Sequence, residues 1–216
     1  MLRQVRQENL EGEVYSAIEE VAQEIQLDVP FYPEVVWIGR NLRFEDSGLP
    51  KTYRTTFYMC RRTKSSVYLS RIKTVLLSMD LPEHIIEEGV HFLHLVNSGI
   101  NSSRRGVQDW SAINVIIEML GYFGSKLIFP ERVNSYPIQK RTSLRKRLSL
   151  MKKDSGVSEF LIYSDGYFFG ERLYREYRAR RFSREEVRDL FLRRFDKPLE
   201  ATVAYTQFAA RFGLLL

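Results

Sequence analysis

One cysteine, three histidines and seven prolines in 216 residues leave several kinds of protein out of account. Cys60 stands alone, so it can form no internal disulfide and belong to no cysteine-rich zinc site. It reads as a small hydrophobe buried in a strand. No stretch approaches the roughly 18–20 consecutive apolar residues of a membrane helix. The opening MLRQVRQENLEGE lacks the apolar core of a secretory signal, so a cytoplasmic protein with no membrane partner is expected. There are no internal repeats and no low-complexity tract. Neither charge sign is scarce: the net charge is only +6, with a pI near 9.4. That balance permits a nucleic acid or an anionic surface as partner without demanding one.

What is present suits an ordinary globular chain. Apolar residues make up 44% and charged residues 28%, with 13% aromatics to build a core. The length suggests one domain over 1–216. Val14, Ile18, Val21 and Ile25 recur at helical steps, which predicts an amphipathic helix over 10–26, ended by Pro30 and Pro33. PEVVWIG, YRTTFYMCRRT from Tyr53 to about Arg61, and SSVYLSR read as three strands, and IKTVLLSM as a short helix. Pro82 opens a helix to about Val96 that Asn97, Ser98 and Gly99 stop. Asp109 is placed to cap a long helix that runs to Pro130. A polar, basic connecting segment covers about 131–157, and helices follow almost to the end, one opened by a capping box of Ser183 and Glu186. The expected class is α+β, with a strand-containing part over about 1–80 and a helical part over about 81–216.

The chemistry concentrates on the helix from Pro82. His84, Glu87, Glu88 and His91 fall on one face. Glu87 and His91, four apart, project two ligand atoms toward one point. Glu88 lies between them, where a general base sits to take a proton from a metal-bound water. His84 reads as a surface residue or a substitute ligand, and His94 as structural. Glu118 interrupts the apolar run AINVIIEMLGYF, and a carboxylate buried there needs a partner or a ligand role.

EEGVH at 87–91 resembles the HExxH helix of zinc metallopeptidases, with Glu87 in place of the first histidine. The surroundings resemble those of the small gluzincins, over roughly residues 30 to 175. SSVYLS and IKTVLLSM look like the edge strand and helix before the motif, Glu118 like the glutamate ligand on a second helix, and YSDGYFFG like the Tyr- and Gly-bearing element that lines the site. The resemblance implies a zincin-like fold: a small N-terminal sheet, an active-site-type helix and a helical C-terminal half. It implies Glu87, His91 and Glu118 as metal ligands, Glu88 as general base, and Tyr163 or Tyr167 as donors to an oxyanion. The cofactor implied is one divalent metal, with a peptide or protein as substrate. A second carboxylate makes the metal a poorer Lewis acid and leans the site from zinc toward manganese or iron. Alternatively no metal binds, and one of the carboxylates is protonated or paired with an arginine.

A different class of function stays open. QKRTSLRKRLSLMKK (139–153) has seven basic residues and no acid, and RLYREYRARR (172–181) interleaves arginines with tyrosines. Arg145, Lys146 and Arg147 are the candidates for binding a nucleic acid or another anion, in a non-catalytic protein that uses its basic surface for a nucleic acid or a partner protein.

Overall fold

The structure is a computed structural model, and it describes residues 2–39, 42–63, 66–69, 71–78, 82–100, 111–132, 143–151 and 156–214. The order is α1 (Leu2–Ile25), β1 (Glu34–Trp37), α2 (Arg54–Thr63), β2 (Val67–Leu69), β3 (Thr74–Leu77), α3 (Pro82–Ser98), α4 (Ser111–Ile128), α5 (Leu144–Met151), α6 (Gly156–Arg178), α7 (Arg184–Leu192) and α8 (Pro198–Arg211). The protein is therefore mixed α+β and mostly helical, with one small sheet among the described residues.

That sheet has the order β1-β3-β2, with β1 parallel and β2 antiparallel to the central β3. It divides two apolar layers by alternation along the strands. Val35, Tyr68, Val75 and Leu77 face the main core, which α1, α3, α4, α6, α7 and α8 build. Val36, Leu69 and Leu76 face a smaller core closed by Phe44, Phe57 and Cys60.

Two expected elements exchange type. Residues 53–61 do not form a strand, because α2 covers most of them. Phe57 and Cys60, three apart, turn one face of that helix into the smaller core, while Thr55, Tyr58 and Met59 stay outside it. The expected helix IKTVLLSM holds β3 instead: Thr74 to Leu77 are all buried, as befits a central strand covered on both faces. The expected order of a helix, three strands and then helices becomes helix, strand, helix, two strands, helices. The capping box of Ser183 and Glu186 does open α7, with the serine hydroxyl accepting from Glu186 N at 3.1 Å. Asp109 and much of the basic connecting segment lie outside the described residues.

Glycines set how closely the main helices approach. A methyl group at Gly89 would lie 3.2 Å from the carbonyl oxygen of Val14 on α1. At Gly124 it would lie 2.6 Å from Val90, and at Gly170 2.6 Å from the carbonyl oxygen of Met119. So α3 nests between α1 and α4, and α6 runs along α4. Contrary to the reading of the sequence, α4 is long and apolar enough to cross a membrane by length and composition, but most of it is buried inside the domain, as in a core helix.

Candidate metal centre

Helical spacing turns both Glu87 and His91 from α3 toward α4, and α4 returns Glu118 to meet them. The three residues each offer one ligand atom, and these atoms lie within 4.8 Å of one another. All three are buried, at 4%, 3% and 9% exposure. His91 Nε2 stands 3.5 Å from Glu118 Oε2. The imidazole fits because α4 has no side chain at Gly121, where a methyl group would overlap His91 Cε1 at 2.3 Å. Gly166 does the same for Glu118: its absent methyl would sit 2.6 Å from Glu118 Cβ. An oxygen–nitrogen–oxygen donor set of this size could hold a metal ion.

A fourth residue completes the centre, and the sequence did not single it out. Arg132 is buried and donates from Nη2 to Glu87 Oε2 at 2.6 Å. It also donates from Nη1 to Ser125 Oγ at 2.6 Å and from Nη2 to the Tyr167 hydroxyl at 3.3 Å. Its guanidinium lies over the rings of Tyr122 and Tyr167, at 4.7 and 5.1 Å. Burial works against its charge, but Glu87 together with Tyr167 and Tyr122 more than restores it, so its pKa rises. The backbone that carries Arg132 is fastened to α4: Lys126 Nζ donates to the carbonyl oxygens of Pro130 and of Arg132, the latter at 3.0 Å. A basic residue soon after a helix-ending proline carries no signal of such a role in one sequence. A buried carboxylate in need of a counter-charge is the general clue, and that clue gives no address.

Tyr167 reaches the centre from α6. Its hydroxyl donates to Glu87 Oε2 at 3.1 Å, and its ring packs on Tyr122 with centroids 4.6 Å apart. Burial, and then the negative charge of Glu87, push its pKa well above the usual phenol value. Tyr167, expected to donate to an oxyanion, is thus hydrogen-bonded to Glu87 in this structure. Tyr163 is half-buried one turn earlier and packs edge-on against Tyr167. Glu88 is buried beside Glu87 and is not one of the three grouped residues. His84 is half-buried, and His94 is fully buried against Phe191. A groove of about 320 Å³ does touch Tyr68 of the edge strand β2, but its other walls include Leu95 and Val96. Those residues lie about 12 Å along α3 from Glu87.

The basic candidates separate. Arg145 and Lys146 are exposed on α5, whereas Arg147 is fully buried. Arg147 Nη1 pairs with Asp165 Oδ1 at 2.5 Å, and the Tyr205 hydroxyl donates to Asp165 Oδ2 at 2.7 Å. Arg147 therefore ties α5 to α6 inside the protein and is not part of an exposed anion-binding strip. Burial pushes the Asp165 carboxyl up to about 6, against the lowering influence of Tyr205 and Arg147.

Together these features define a mostly helical α+β protein with a buried Glu–His–Glu group that could hold a metal ion. Compared with known protein families, with characterised proteins and with solved structures, the chain matches none.

Proposed function

We propose that this protein is a gluzincin-like metallopeptidase homologue with an altered centre, which binds one divalent metal and is a poor peptidase. The observation that carries the reading is the buried convergence of Glu87, His91 and Glu118 within 4.8 Å. Two carboxylates and one imidazole favour manganese or iron over zinc. A bound divalent ion would supply Lewis acidity toward a carbonyl, with Glu88 on the same helix as the candidate proton acceptor. Three features argue against hydrolysis. Glu87 already carries the charge of Arg132, the Tyr167 proton is committed to Glu87, and the ligand atoms are buried away from a substrate as large as a peptide.

Metal content of the untagged protein, measured by plasma mass spectrometry beside His91→Ala, tests this reading. About one transition metal per chain is expected, lost in the variant, with peptide hydrolysis no faster than in Glu88→Gln. No metal after incubation with manganese, iron and zinc would sink it.

The alternative, a non-catalytic binder of nucleic acid, keeps Arg145 and Lys146 as exposed cations but loses Arg147 to the interior. It calls for binding that weakens steeply with salt and ignores Glu88.

A further inference from the structure

Arg132 is built into the centre too firmly to be a chance neighbour. It has partners on three helices: Glu87 on α3, Ser125 on α4 and Tyr167 on α6. Two aromatic faces hold its guanidinium, and Lys126 holds its backbone. Glu87 therefore spends Oε2 on Arg132 and Tyr167, while its buried Oε1 has no hydrogen bond among the described residues. One carboxylate of the donor set is thus already paired with a permanent positive charge through Oε2.

We propose that Arg132 is a resident counter-ion that competes with the metal for Glu87 and thereby sets the affinity of the centre. This inference rests on the metal-binding reading above. A guanidinium does not deprotonate in a protein, so the competition persists at every pH at which the fold survives. A divalent ion entering the group must either settle beside that charge through Glu87 Oε1 or displace Arg132 from Oε2. Either route weakens binding relative to a centre of the same donors without the arginine. The same pair gives Glu87 a partner when no ion is bound, so the protein folds without metal, unlike small domains in which the metal supplies the folding energy.

The test is calorimetric titration of Mn²⁺ and Zn²⁺ into the full chain, with Arg132→Gln, Arg132→Met and Arg132→Lys beside the wild type, and Glu87→Gln as the ligand control. Arg132→Gln removes the charge and keeps hydrogen-bonding capacity, whereas Arg132→Met refills the slot between the two tyrosines. Both are expected to bind at least about tenfold more tightly than the wild type. Arg132→Lys should stay near the wild type, and Glu87→Gln should bind little. Melting temperatures give a second readout that involves no catalysis. Without metal both neutral variants should melt below the wild type, and added metal should raise them by more than it raises the wild type. Equal affinities in all the arginine variants would overturn the inference and leave the metal-binding reading standing. Weaker binding in the neutral variants would overturn it too, because Arg132 would then be orienting Glu87 for the metal. Absence of binding in every protein would overturn both.

Discussion

Gly121 and His91 share one small volume: the hydrogen of the glycine occupies the place where a methyl group would lie 2.3 Å from His91 Cε1. Gly121→Ala should therefore push the imidazole away from Glu118, destabilise the protein by about 1–3 kcal/mol and abolish metal binding. Gly12→Ala is the contrasting control. Gly12 is exposed on α1, and a methyl group there would meet nothing within 4 Å beyond its own stretch of helix, so alanine should stabilise by about 0.5–1 kcal/mol. Urea denaturation of both variants checks the pair. Equal effects would mean that the close approach of α3 and α4 is not as described.

The split within the basic segment has a direct measure. Arg147→Ala leaves Asp165 buried without its cation and should cost about 3–5 kcal/mol at neutral pH. Arg145→Ala and Lys146→Ala, on the exposed side of α5, should change stability by no more than about 0.5 kcal/mol. If all three behaved alike in denaturant titrations, the burial of Arg147 would be wrong.

Asp165 also gives the protein a pH dependence of defined sign. Its folded pKa, about 6, lies above the ordinary carboxyl value, so the folded state holds the proton more tightly than the unfolded chain. Its contribution is complete below about pH 4 and is lost as the pH rises through about 6, by roughly 3 kcal/mol in all. Asp165→Asn should flatten that part of the stability profile. A stability difference between wild type and Asp165→Asn that stays constant from pH 4 to 7 would refute the shift.

Placing a histidine at position 87 should not create a zinc site by itself. Glu87→His strands Arg132 without its carboxylate and should destabilise by about 3–5 kcal/mol. Adding Arg132→Ser should recover part of that loss and bring tighter zinc binding. A single variant as stable as the wild type, read by thermal melting, would contradict the importance of the ion pair.

Tyr167→Phe should lower stability by about 1.5–3 kcal/mol, because it removes a hydrogen bond to a buried carboxylate. Full stability in this variant would free the hydroxyl for another role.

Much of this fold could be read from spacing alone. The stripe of Val14, Ile18, Val21 and Ile25 on α1, the proline at the start of α3 and the capping box of α7 are local signals that tertiary packing left intact. Residues 53–61 misled because threonine, tyrosine and phenylalanine favour strands, whereas the contact of Phe57 and Cys60 with Phe44 and Leu76 decides for a helix. Thr74–Leu77 misled in the opposite sense: a strand buried on both faces shows no alternation, so its short apolar run is indistinguishable from a turn of buried helix. In the centre, Glu87 and His91 were legible because one helix carries both, and Glu118 because a charge in an apolar run is conspicuous. Arg132 and the Tyr167 hydrogen bond were not, since they depend on how α4, α6 and the turn after Pro130 meet in space.

The depth of Glu87, His91 and Glu118, at 3–9% exposure, bears on exchange rates as well as on affinity. Entry of the proposed ion to so buried a group would depend on local opening of the protein around it, and such openings are properties of the protein, not of the ion. Uptake should therefore level off with rising ion concentration, where a surface site would keep accelerating. At that plateau manganese and zinc should enter at the same rate even if they are held with different strength, so the centre reports how often its own walls part.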